Sequence, residues 1–230
     1  MNYDNITISE ATLIQNQLRS KINLQPMGSK IVTIAGADIS FNKHETAVYA
    51  GIVVLRFPQM IPIAYSLVKV DVSFPYVSGY LAFREVPALM KAWEQLPVKP
   101  DVLVVDGHGI AHPRRMGIAA HFGALTGQTT LGCAKTILCG KFEEPNSAHG
   151  SFSPILHKDE QVGWALRSKN NVSPVFVSPG NNMSMRDSLN IMQECLGKYR
   201  IPEPTRLAHA LVNRFRTGEL TQGFVDYQTS

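Results

Sequence analysis

Apolar positions recur with two different periods along the chain, and the switches between them mark its elements. From Thr7 to Ile22, the residues Ile8, Leu13, Ile14, Leu18 and Ile22 fall at near-helical spacing behind Thr7-x-x-Glu10, a capping-box pattern, which predicts a helix over 7–22. Ile31-Val-Thr-Ile-Ala-Gly-Ala-Asp38 is a short, nearly continuous apolar run and predicts a buried strand ending at Asp38. Ala47 to Arg56 and Ile61 to Val72 predict two more strands, separated by a turn around Pro58 and Pro62. Connections this short imply an antiparallel meander.

The helical period returns from Tyr80 to Leu96, with Leu81, Leu89, Trp93 and Leu96 on one face. Pro87 has no N–H for the preceding turn, so it must kink this helix or open a second one. Asp101-Val-Leu-Val-Val-Asp106 predicts a short strand, followed by the turn Gly107-His-Gly109 and a helix around Met116 to Leu125. Thr129 to Leu138 is expected as a strand, 140–159 as loop, and Val162 to Arg167 and Val175 to Val177 as strands. Helices are expected at Met185 to Leu196 and Pro204 to Arg216. No repeat, low-complexity tract or linker divides the chain, so 1–230 reads as one domain: the N-terminal helix, a core over about 31–216 and a short C-terminal tail. This order of elements describes an α/β domain with a central mixed sheet, flanked by helices.

Four residues stand out from the pattern. Asp38 and Asp106 each close an apolar strand, where open α/β sheets place ligands; either alone reads first as a turn or capping Asp, and it is the two together that point towards a metal. Glu85 falls inside the apolar arc of Leu81, Leu89, Ala92 and Leu96. A carboxylate on that side must be paired, protonated or metal-bound, and Arg84 is at hand as a partner. His209 lies off the stripe made by Leu207, Leu211, Val212 and Phe215, beside Asn213 and Arg216, which places it at the surface or in a cleft. Three acidic groups at one sheet edge would suit Mg²⁺, an oxygen-seeking ion that keeps several waters.

Composition narrows the classes. With 44% hydrophobic and 17% charged residues the chain can bury a core, and no apolar run reaches the roughly 20 residues that span a bilayer. Without a signal-peptide layout at its start, it is expected in the cytoplasm. Cys133, Cys139 and Cys195 form no Cys-x-x-Cys pair and read as buried thiols. A net charge of +4 suits a nucleic-acid partner, as it does many others.

Six ordered blocks carry a resemblance. Phe74-Pro-Tyr-Val-Ser-Gly-Tyr-Leu-Ala-Phe-Arg-Glu85, Val105-Asp-Gly-His-Gly-Ile-Ala-His-Pro-Arg114 and Pro202-Glu-Pro-Thr-Arg-Leu-Ala-His209 resemble the endonuclease V family. So do Ala35-Gly-Ala-Asp-Ile-Ser40, Gly132-Cys-Ala-Lys135 and Val177-Ser-Pro-Gly180. The resemblance implies a ribonuclease H-like fold and a Mg²⁺-dependent nuclease, with Mn²⁺ as a substitute, that recognises deoxyinosine in DNA. It implies hydrolysis of the second phosphodiester bond 3′ to the lesion, leaving 3′-hydroxyl and 5′-phosphate ends. Residue by residue, Asp38 and Asp106 match the metal-binding aspartates, Glu85 the third acidic group and His209 the C-terminal catalytic-site histidine. Lys135 matches a lysine near the scissile phosphate, and Tyr76 the wedge that parts the strands. Gly107 and Gly109 are expected to let backbone approach a flipped base, with His112 as a further nucleic-acid contact, and Arg114 and Arg115 can reach phosphates.

One departure is visible: Asn181 stands where the family commonly shows His after Ser-Pro-Gly. Inosine in RNA is an alternative substrate, because some relatives favour it. A junction resolvase or hybrid hydrolase of the same fold, and a binding module without chemistry, are the rival classes; Pro75-Tyr76 and the Asp106-Gly-His-Gly109 turn speak against the first, the intact Asp38, Glu85 and Asp106 against the second. Nothing in the sequence demands a dimer, and a monomer is expected.

Overall fold

A computed structural model of the chain describes residues 3–42 and 45–227. Its elements are α1 (Ile8–Arg19), β1 (Thr33–Phe41), β2 (Ala47–Arg56), β3 (Ile61–Asp71), α2 (Leu81–Glu94), β4 (Val102–Val105), α3 (Ile118–Thr126), β5 (Thr130–Ala134), β6 (Phe152–His157), β7 (Glu160–Leu166), β8 (Val175–Asn181), α4 (Met185–Glu194), α5 (Glu203–Arg216) and β9 (Gly223–Asp226). The capping box forms as expected: the Thr7 side chain accepts from the Glu10 N–H, and the Glu10 carboxylate accepts from the Thr7 N–H at 2.7 Å.

The strands form one sheet in the order β6-β7-β8-β5-β4-β1-β2-β3-β9. β1, β4 and β5 pair in parallel, and the β1–β2–β3 meander is antiparallel, which makes the sheet mixed. Alternation sorts the central strands onto two cores. Ala35, Ala37, Leu103 and Val105 pack with Phe83, Leu89 and Phe122 of α2 and α3. Ile34, Val102 and Val104 pack on the opposite face with Leu189 of α4 and Leu211 and Val212 of α5. No helix among the described residues is long and apolar enough to cross a membrane.

Several local expectations change. Asp38 does not end its strand: β1 continues to Phe41, with Asp38 paired to Gly51. The parallel β1–β4 ladder does end there, at Ala37–Val105, so Asp38 and Asp106 are the first residues beyond it. Pro87 neither ends α2 nor starts a second helix. Pro62 lies inside β3 at a register shift rather than in the preceding turn. The stretch expected as loop contains β6, whose Pro154 obscures it; an edge strand tolerates proline because one side needs no ladder bond. The short tail contributes β9, which covers the far edge of β3.

Candidate active site

Helices from both faces of the sheet, α2 and α5, reach the end of the parallel ladder. Asp106 is held there by its own backbone, whose N–H donates to the Ala37 carbonyl at 2.9 Å. Helix α5 can approach β1 because Gly36 carries no side chain: a Cβ at that position would lie 1.9 Å from the Pro204 carbonyl oxygen. Gly36 and Asp38 share a strand face by the two-residue period, so the helix that crosses Gly36 also reaches Asp38.

That approach brings His209 Nδ1 to 2.8 Å from Asp38 Oδ2. The imidazole is half exposed and the aspartate buried, at 50% and 8% side-chain exposure. His209 Nε2 lies 3.0 Å from Asn213 Nδ2, one turn further along α5. With a carboxylate at one nitrogen and an amide donor at the other, the consistent arrangement is Nδ1–H donating to Asp38 and Nε2 accepting from Asn213. Lys135, just past β5, places Nζ 2.5 Å from Asp106 Oδ2. The Lys135 carbonyl is itself held by Arg200 Nη2 at 2.9 Å.

Burial, then the neighbouring Asp106, pushes the Asp38 carboxyl up to about 6, against the opposing pull of His209 and Lys135. Glu85 rises further, to about 8, from burial and the charges of Asp38 and Asp106. Arg84 is not its hydrogen-bonded partner: it donates instead to the carbonyls of Phe74 at 2.8 Å and Glu45 at 2.7 Å. Acid groups this close repel one another when ionised, and a divalent cation would relieve that repulsion. The donor atoms of Asp38, Asp106 and His209 lie within 4.8 Å of one another; the two carboxylates fit such an ion, and the imidazole, with both nitrogens bonded, stands beside it as the partner of Asp38.

A pocket of about 380 Å³ opens beside this cluster, lined by Tyr76, Gly79, Glu85, Asp106, Gly107 and His108 among others. Tyr76 is 65% exposed at its rim, touching Phe41 with ring centroids 5.9 Å apart. The residues expected to meet nucleic acid divide. Gly107 lines the pocket, whereas Gly109 packs under it: a Cβ there would meet the Pro179 carbonyl at 2.1 Å. His112 borders the pocket but is 2% exposed, and both ring nitrogens bond inside the protein, so it braces the turn rather than reaching a strand. Arg114 bonds Gln15 and Gly79, and Arg115 bonds His157 and Glu160, so both are committed internally.

Sequence reasoning misses His108 and Asn213. His108 sits between Gly107 and Gly109, two residues after Asp106, and that position is the signal that could have found it. Asn213 is four residues from His209 on one helix, the spacing at which side chains meet. Asn181 is also explained: its amide accepts from the Asn23 N–H at 3.0 Å and donates to the Gly123 and Gln128 carbonyls, tying three segments together away from the acidic cluster.

Comparison with known proteins gives a consistent result. The sequence model of the family described as Endonuclease V matches residues 16–210. An endonuclease V of Myxococcus xanthus (strain DK1622) is 46% identical over 215 residues, 93% of this chain and 92% of that protein. The crystal structure of an endonuclease V from Streptomyces avermitilis superposes with a TM-score of 0.88 at 38% identity, covering 93% of this chain and 94% of that one. A Ciona intestinalis endonuclease V, in complex with a 24mer DNA containing an inosine followed by a ribo-adenosine, has a TM-score of 0.81 at 29% identity, covering 93% and 99%.

Proposed function

The chain belongs to the endonuclease V family, with its ribonuclease H-like fold, and from that premise we propose that it cuts DNA at deoxyinosine, hydrolysing the second phosphodiester bond on the 3′ side of the lesion. The products of that cut are a 3′-hydroxyl and a 5′-phosphate. The observation that carries this reading is the close pair Asp38 and Asp106, beside a pocket with Glu85 in its wall and the exposed Tyr76 at its rim.

Asp38 and Asp106 would hold a divalent cation, Mg²⁺ or Mn²⁺, with His209 beside them. When bound, the ion supplies Lewis-acid polarisation of the phosphate and neutralises developing charge. Glu85 stands where it can hold the attacking water and take its proton, once an ion offsets the charges of Asp38 and Asp106 that otherwise favour its protonated form. Lys135 brings a positive charge beside Asp106 and stabilises the phosphate oxygens as charge builds. His209 orients Asp38 through Nδ1 and is itself steadied by Asn213. Tyr76 enters the base stack and fills the gap that the lesion base leaves when it is extruded into the pocket, where Gly107 leaves room for it.

Inosine in RNA is a second reading, favoured by the ribo-adenosine that follows the inosine in the strand held by the Ciona relative. The test is cleavage of matched inosine DNA and inosine RNA strands with Mg²⁺, with the cut position mapped. Cutting the DNA at the second 3′ bond supports the proposal, and cutting only the RNA, or cutting regardless of inosine, overturns it.

A further inference from the structure

The segment that carries Tyr76 is a surface loop, and a surface loop is by default mobile. Here both of its ends are tied. At the near end, the Phe74 ring is buried at 1% exposure and the Phe74 carbonyl accepts from Arg84 at 2.8 Å. At the far end, Gly79 takes a left-handed φ of +80°, and its carbonyl is approached by three donors from distant parts of the chain. These are His112 Nε2 at 3.0 Å, Arg114 Nη2 at 2.6 Å and Gln15 Nε2 at 3.1 Å. The donors also constrain one another. Arg114 Nε donates to Gln15 Oε1 at 2.5 Å, and His112 Nδ1 accepts from the Arg114 N–H at 3.1 Å, which leaves the His112 proton on Nε2, facing Gly79.

Helix α1 takes part although it lies apart from the sheet. Gln15 is fully buried, and one turn earlier the Thr12 hydroxyl bonds the Tyr80 hydroxyl at 2.8 Å. The Arg114 guanidinium lies 4.1 Å from the centroid of the Tyr80 ring, so the residue after Gly79 is fixed as well. A buried Gln with both ends bonded, and an Arg turned inwards from a His-Pro-Arg-Arg turn, need a reason beyond filling space. Their common target is one carbonyl at the hinge of the loop.

We propose that Gln15 and Arg114 are positioning residues for lesion recognition, which fix the hinge at Gly79 and hold Tyr76 ready to enter a duplex. Neither touches the nucleic acid; they act through the loop. Holding the loop in its binding geometry lowers the ordering cost that each encounter with DNA would otherwise carry. The inference rests on reading Tyr76 as the wedge. Gln15 lies one residue before the region matched by the family model, so it is a feature of the chain outside that match.

The experiment compares single-turnover cleavage of duplex and single-stranded inosine oligonucleotides by wild type, Gln15→Glu, Gln15→Leu, Arg114→Lys, the Gln15→Leu/Arg114→Lys pair and Tyr76→Ala. Gln15→Glu keeps an acceptor for Arg114 but loses the donor to Gly79, so it probes the hinge even if the leucine variant fails to fold. Thermal melting reports folding for each. Each clamp variant is expected to lower the duplex-to-single-strand rate ratio about tenfold, with the paired variant no worse than the more severe single one, because residues of one network are not additive. 2-Aminopurine placed beside the lesion is expected to show slower base extrusion in the same variants. If Tyr76→Ala lowers the ratio while folded clamp variants keep it, the clamp inference is wrong and the wedge reading stands. If Tyr76→Ala leaves the ratio unchanged, the wedge reading itself fails and the inference falls with it.

Discussion

His209 and Asp38, 171 positions apart in sequence, meet at 2.8 Å across the contact between helix α5 and strand β1. The contact joins a half-exposed imidazole to a buried carboxylate. His209→Ala is therefore expected to slow cleavage about 100-fold, the lower range for a proton-transfer or orienting group, and to leave stability nearly unchanged because the ring is half solvent-exposed. Single-turnover kinetics with thermal melting checks both halves. A stable variant with an unchanged rate would remove His209 from the mechanism.

The seat that makes this contact possible can be disturbed without touching a polar group. Gly36→Ala places a methyl against the Pro204 backbone, which cannot move as a flexible side chain could. The expected cost is about 1–3 kcal/mol, a fall in Tm of roughly 2–4 °C for each kcal/mol at this chain length. Cleavage should fall as well, since a displaced α5 carries His209 away from Asp38. Unaltered melting would show that the helix has slack at this point.

The crowded acids give a pH dependence with a definite sign. Asp38 and Glu85 are raised from 3.8 and 4.5 to about 6 and about 8, so over that span the folded chain holds more protons than the unfolded one. Stability without metal therefore declines as pH rises through this window. A divalent cation favours the ionised forms and competes with protons, so the gain in Tm on adding Mg²⁺ should grow from about pH 5 to about pH 8. Melting curves with and without Mg²⁺ across that range test it. A gain that shrinks as pH rises contradicts the metal assignment.

Much of this is legible in the sequence because the strands are short, apolar and bounded by turn residues. The bounds of Ala47–Arg56 follow from its apolar run to the residue, and Asp38 and Asp106 fall at one edge by their strand positions. β6 and β9 are not legible: Pro154 interrupts the first, and the second is four residues whose pairing with β3 depends on the whole sheet. Within the site, helical spacing singles out Glu85, whereas Lys135 and Tyr76 come only from the family resemblance, and neither route reveals what lies beneath them. The internal tasks of Gly109, His112 and Arg114 arise from hydrogen bonds across 33 to 99 positions, which periodicity does not encode.

If the proposed DNA is held largely through its phosphates, binding weakens as salt rises. Each phosphate contact adds about 0.9 to the slope of log affinity against log salt in duplex DNA. Titration of an inosine duplex with Ca²⁺ in place of Mg²⁺ measures it. A slope near zero would mean that the backbone is not the main attachment.

In the proposed mechanism, Asp38 and Asp106 hold the ion that cleavage requires. The most direct test is Mg²⁺-dependent cutting of an end-labelled inosine duplex by wild type, Asp38→Asn and Asp106→Asn, with binding measured on the same duplex. Asparagine keeps the shape and removes the charge, so both variants should fold, bind the duplex and cut it about a thousandfold more slowly, equivalent to roughly 4 kcal/mol of barrier. Wild type should cut at the second phosphodiester bond 3′ to inosine and lose that activity when Mg²⁺ is chelated. A folded variant that cuts at close to the wild-type rate, or wild-type cutting that persists after chelation, would contradict the account.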